Sequence, residues 1–253
     1  MFHLDQILAT AVLIAIRLSG LMVAAPFFGS TAIPVRVKGA LTVVLTYLLY
    51  PVVSPVAAGR PLLVWLGWGA SEFTIGLLIG LVMQFVFEAV SLAGAISGVQ
   101  LGFSLESIID PSTQASSNAL AVFYQMITLY IFLQMNIHLW ILKGLVASFH
   151  DIPLGGSISR PAAMTLLQMA TEIWRVGLQI ALPILAITVL IDTALGFLSK
   201  AAPQLPVLFV GISVKDVAGL LVLMSVVTFW PRFLSDQFWN ALTATEHLLR
   251  LTQ

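Results

Sequence analysis

Apolar residues run through the chain in six long stretches, separated by short polar gaps. The stretches cover roughly 7–28, 40–53, 62–93, 120–149, 170–198 and 217–234. A helix that crosses a membrane needs about 20 apolar residues, and each stretch comes near that length. The gaps are turn-like: "GSTAIPVRVKG", "SPVAAGRP", "DIPLGGSISRP" and "SKAAPQLP" are rich in Gly, Pro and Ser, and none can hold a soluble domain. The pattern predicts an all-α, membrane-associated fold of about six long apolar helices. The C-terminal "SDQFWNALTATEHLLRLTQ" alternates apolar and polar residues at helical spacing. It predicts a short amphipathic helix at a membrane or partner surface. The first stretch lacks the basic start of a cleaved signal peptide and carries Arg17 inside its apolar run, so it is expected to remain as the first helix.

Composition narrows the class further. The chain of 253 residues is 59% hydrophobic and 9% charged, against roughly 25% charged for a soluble domain. Its mean hydropathy is +1.03. So few polar residues cannot cover a water-exposed surface. Eleven basic and eleven acidic residues balance, which argues against nucleic acid as a partner. There is no cysteine, hence no disulfide and no thiolate metal site. By the positive-inside rule the gaps with Arg36, Lys38, Lys200 and Lys215 would be cytoplasmic and both termini outside, but Arg60, Arg160, Arg232 and Arg250 on the other side of a six-crossing topology make the count a tie.

Arg17, Glu72, Glu88, Lys143, Arg175 and Asp192 lie inside apolar runs. A charge left in hydrocarbon costs free energy, so each should meet protein, water or an opposite charge. Glu88, Arg175 and Asp192 are expected to be buried. A proton relay through Glu88, Lys143, Arg175 and Asp192 and a set of structural ion pairs both fit this placement. Pro26, Pro51, Pro55 and Pro183 are expected to interrupt or end helices. His3, His138, His150 and His247 are too scattered to predict a metal site, and no catalytic or nucleotide-binding motif stands out, so no enzyme and no cofactor are expected.

One segment breaks the apolar pattern near the middle of the chain: "GVQLGFSLESIIDPSTQASSN", positions 98 to 118. Gly94, Gly98 and Gly102, spaced by four, would form a smooth helix face. That face serves either packing within the chain or contact with a neighbour or pore. Asp110 before Pro111 suits a helix start. Irregular backbone at membrane depth is tolerated only where it is buried in protein or faces water, so the polar stretch also suits a gate in an aqueous path.

Three blocks, "GVQLGFSLESIIDPST", "HLWILKGLVASFHDIPLG" and "ALPILAITVLIDTALGFLSKAAPQLPVLFVGISVKDVAGLLVL", occur in this order. They resemble the FliR family of flagellar type III export-gate proteins, whose injectisome counterparts share the superfamily. The most specific block spans 192–204, with Gly211 and Lys215 beyond it. Position 200 is Lys where many family members have Arg, which keeps the charge and loses the planar fork.

The resemblance implies bent helical hairpins within a FliP/FliQ/FliR-type assembly. It implies a single FliR-like domain over 1–253, with a FliP-like half at about 1–165 and a FliQ-like half at about 166–253. It implies a pore plug made of Gly102, Phe103, Ser104, Leu105, Glu106, Ile108, Ile109, Asp110 and Pro111, based on the helix-packing glycines Gly94 and Gly98. Lys200, Pro203, Gln204 and Lys215 would belong to a cytoplasmic entrance loop. The implied partners are FliP and FliQ, then FlhB and FlhA, with transported flagellar proteins and membrane lipid. The implied place is the flagellar basal body in the bacterial inner membrane, and the energy for export comes from elsewhere. A small-molecule secondary transporter, an injectisome homologue and a purely structural scaffold are the competing readings.

Overall fold

The computed structural model describes residues 2–30, 33–56, 59–103, 118–156, 160–204 and 207–250. Among them every regular element is helical: α1 (Phe2–Ala24), α2 (Val35–Leu49), a 3-10 turn (Tyr50–Val52), α3 (Leu62–Gln100), α4 (Ala119–Gln134), α5 (Ile137–Asp151), α6 (Arg160–Ala201), α7 (Val207–Val227) and α8 (Trp230–Arg250). Among the described residues, five segments are long and apolar enough to cross a membrane: Leu4–Ala24, Val35–Val52, Leu62–Gln100, Leu166–Ala201 and Val210–Val227. The pair α4–α5 makes a sixth if counted as one broken span.

The helix boundaries follow local chemistry. Pro34 precedes α2, Pro61 precedes α3, and Pro161 and Pro231 occupy first turns, where a missing N–H costs nothing. Two boundaries depart from the apolar pattern. The predicted 120–149 stretch breaks at Met135–Asn136 and bends by 65°. Asn136 takes the left-handed conformation at φ 56°, which Asn tolerates better than most residues. The predicted 217–234 stretch is split at Thr228–Phe229, so α7 starts ten residues earlier and the amphipathic α8 follows as a separate helix. Pro26 and Pro51 lie in turns and Pro55 outside any helix, but Pro183 lies inside α6 without ending it.

The chain divides into two compact units. The first holds Met1–Phe85, Phe132–Ala170 and Gln237–Gln253; the second holds Val86–Ile131 and Thr171–Asp236. In the first, Leu13, Ile14, Leu18 and Leu21 of α1 are buried, as are Ile137, Ile141, Leu145 and Phe149 of α5. These spacings of three and four put each set on one helix face. In the second, Val86, Val90 and Ala93 of α3 and Val176, Ile180 and Ile184 of α6 repeat the pattern. Each fully buried side chain of this size contributes about 1.5–3 kcal/mol.

Candidate functional site

Among the described residues of the first unit, one ion pair is fully buried. Arg17 and Glu72 are both fully shut from solvent, and Arg17 Nε donates to Glu72 Oε2 at 2.5 Å. The other guanidinium nitrogens donate to Ser148 Oγ and Ile152 O, each at 3.0 Å. Glu72 Oε1 accepts from the Gly155 backbone N–H at 2.9 Å. The Phe149 ring lies 4.1 Å from the guanidinium carbon. The two charges thus have partners on several sides, which is the condition for a buried charge to be tolerated. Close backbone approach allows the arrangement. A Cβ on Gly76, one turn after Glu72, would strike the Arg17 carbonyl, and one on Gly80 would sit 2.6 Å from Ala25 N.

The same unit carries a groove of about 520 Å³ lined by α5 and α8, with Ile79 and Met83 of α3. Trp140 and Trp239 meet edge to face at 5.2 Å, and Lys143 Nζ stands 4.5 Å over the Trp140 ring. Gly144 lines the groove with nothing against it.

The second unit contains the base of the central polar segment. Helix α3 runs through Gly94 and Gly98 to Gln100 and ends in a turn at Gly102, whose φ of 82° is the left-handed region that glycine enters without penalty. The chain returns at Asn118, which caps α4: its Oδ1 accepts the Leu120 N–H at 3.0 Å. Its Nδ2 donates back to Ala95 O at 3.1 Å and Gly94 O at 3.4 Å. A Cβ on Gly98 would land on the Asn118 amide, and one on Gly94 would lie 2.5 Å from Ala121 Cα. Gly94 and Gly98 pack within the chain, and Gly102 lies beyond the end of the helix. Leu101 is buried, and a Cβ on Gly219 of α7 would meet it. Phe103, the last residue before 104–117, is exposed. Replacing Gly98 by alanine is expected to push the Asn118 amide off the carbonyls and cost about 1–3 kcal/mol, read as a lower thermal midpoint of the purified protein. An unchanged midpoint would mean that Asn118 does not hold this base.

The remaining predicted residues fall as follows. Ser104, Leu105, Glu106, Ile108, Ile109, Asp110 and Pro111 lie outside the described residues. Lys200 stands in the last turn of α6, with Pro203 and Gln204 exposed in the turn after it. Lys215 is not part of that connection. It lies within α7 and pairs with Asp192 of α6. The expectation that Glu88, Arg175 and Asp192 are buried fails within this chain. Glu88 is exposed, Arg175 pairs with Glu172 with both side chains 53% exposed, and the Asp192 side chain is 50% exposed. An apolar run does not say which helix face a charge occupies, and these three occupy outward faces. The buried pair is Arg17 with Glu72, and the usable signal was a glycine within a turn of each: Gly20 and Gly76.

The sequence profile of the bacterial export proteins, family 1, matches residues 8–241. The flagellar biosynthetic protein FliR of Escherichia coli (strain K12) is 30% identical over 226 residues, 88% of this chain and 86% of that protein. The chain belongs to the FliR family of bacterial export proteins. FliR of Pectobacterium carotovorum is 31% identical over 230 residues, with 88% and 86% covered, and FliR of Bacillus subtilis is 27% identical over 222 residues, with 85% and 86% covered. For a FliR-family chain, the helices long enough to span a bilayer and the sparse charge fit a membrane protein of flagellar biosynthesis. The Arg17–Glu72 network and the Gly94–Gly98–Asn118 base both lie within the matched residues.

Proposed function

We propose that this chain is a non-enzymatic core subunit of the flagellar type III protein export gate. It works in the bacterial inner membrane at the flagellar basal body, assembled with FliP and FliQ and next to FlhB and FlhA. It forms and closes part of the channel for unfolded flagellar proteins. In this reading residues 1–165 are the FliP-like half and 166–253 the FliQ-like half. Lys200, Pro203 and Gln204 stand at the cytoplasmic entrance.

The observation that carries the reading is the fixed base of the central segment. Asn118 lies on Gly98 and bonds to the Gly94 and Ala95 carbonyls, so the residue that follows 104–117 is held against the last turns of α3. A segment rich in small polar side chains, tethered at such a base, suits a plug that fills a narrow aqueous path and moves aside. Phe103, Leu105, Ile108 and Ile109 supply its apolar seal.

Removal of residues 103–117 tests this. The variant is expected to co-purify with FliP and FliQ while making the membrane permeable to small ions. A complex without leak would assign the chain to a scaffold that does not line the pore. Loss of the complex would make the segment an assembly element and remove the support for plugging.

A further inference from the structure

In the second unit one carboxylate oxygen is buried without a partner among the described residues. Helix α7 (Val207–Val227) carries two charged side chains, Lys215 and Asp216. Lys215 is committed to Asp192 of α6. Asp216 follows it directly, and neighbouring residues on a helix point about 100° apart, so the two do not share a face. Asp216 Oδ1 is shut from solvent and has no hydrogen-bond partner among the described residues, while the residue as a whole is half-buried, so a cation from outside reaches the carboxylate through its other oxygen. Lys215 is taken by Asp192, and among the described residues no cation forms an ion pair with Asp216.

Its surroundings say what should bring one. Val210, Val214, Val217, Leu221 and Met224 repeat at spacings of four and three and form one apolar stripe, each 44–71% exposed. Asp216 flanks this stripe, with the exposed Leu220 one turn further on. At 1.5 Å per residue Asp216 lies about 13 Å from Val207 and about 16 Å from Val227, near the middle of the helix. In an α7 that spans a bilayer, the lipid tails at that depth would offer no cation, and a headgroup ammonium would have to leave the interface to reach it. A protein helix can supply one.

Resting on the export-gate reading, we propose that a helix of a neighbouring gate subunit covers the 210–224 stripe and inserts a lysine or arginine that pairs with Asp216. The stripe provides the non-directional contact. The carboxylate fixes the register, because a sliding helix would leave both charges unpaired.

The test uses the full complex, co-expressed with FliP and FliQ, with a photo-crosslinking benzophenone amino acid at Leu220. The cross-linked material is digested and sequenced by mass spectrometry. The expected product joins α7 to an apolar segment of a neighbouring subunit that contains a Lys or Arg. Capture of lipid alone, or of a peptide without a basic residue, overturns the proposal. In parallel, Asp216→Asn is expected to lower complex recovered per membrane-inserted chain about tenfold, whereas Asp216→Glu stays within about twofold. Asp216→Lys, paired with a change of the captured basic residue to Glu, is expected to restore recovery. Wild-type recovery with Asp216→Asn would mean that the carboxyl acts uncharged and would also overturn the ion pair. If the Asn variant does not accumulate, the cross-link decides. Failure of the wild-type chain to co-purify with FliP and FliQ would sink the gate reading instead, and a basic peptide captured from another protein would leave the pairing standing.

Discussion

Replacing Arg17 by methionine is expected to destabilise the folded chain by about 3–5 kcal/mol, because it leaves Glu72 as an uncompensated charge in a fully buried place. The loss is not confined to the ion pair. Ser148 Oγ and Ile152 O lose their donor at the same time, and Phe149 loses the cation beside its ring. The double change Arg17→Met with Glu72→Leu removes both charges and keeps much of the volume. It is expected to recover most of the loss, leaving mainly the unpaired Gly155 N–H and the two orphaned acceptors. The check is the thermal midpoint of purified protein, with the amount inserted in membranes, for both single variants and the double. If the double is as damaged as the sum of the singles, the two side chains do not act as a pair.

Substitution of Gly76 by alanine should lower stability, and the same substitution at Gly144 should raise it. Both glycines sit inside helices, where alanine is intrinsically favoured by about 0.5–1 kcal/mol. They differ in what the added methyl meets. At Gly76 it strikes the carbonyl oxygen of Arg17, a backbone atom that cannot swing aside. Helices α1 and α3 must then separate, loosening the Arg17–Glu72 contact, and overpacking of this kind costs about 1–3 kcal/mol. At Gly144 nothing lies within 4 Å, and the methyl enters the open groove. Thermal midpoints that shift in opposite directions would support this account; a shift of the same sign at both positions would refute it.

The helices and their rough extents could be read from hydropathy because apolar length is a property of the sequence itself. The amphipathic C-terminal helix was equally legible, since one face of α8 buries Leu234, Phe238 and Ala241 at helical spacing. The break at Asn136 was not, because hydropathy carries no record of a single residue adopting a left-handed backbone. Pro183 misled for the opposite reason: a missing hydrogen bond at one position does not end a helix of 42 residues. At the site, the spacing of Gly94 and Gly98 pointed to close approach but not to what approaches, and the Asn118 side chain supplied the answer. Pairing was the least legible. Arg17 and Glu72 lie 55 residues apart in the chain, and only the fold brings them together. Lys215 was placed in a connection on resemblance alone, whereas α7 begins eight residues before it.

Helix α3 has 39 residues and no proline. At 1.5 Å per residue it is about 58 Å long, nearly twice the roughly 30 Å of a bilayer's hydrocarbon. Even at a tilt of about 40°, the steep end of what spanning helices show, some 26 residues would fill that thickness. An α3 that crosses a bilayer would therefore have about a dozen residues outside the hydrocarbon, although the helix is apolar along most of its length. Hydrophobic mismatch on this scale exceeds what bilayer thickening can absorb. At the N-terminal end Leu62, Leu63 and Leu66 are left bare by the chain itself. The surplus length is a measure, in ångströms, of how far beyond the lipid a protein coat must extend around this helix.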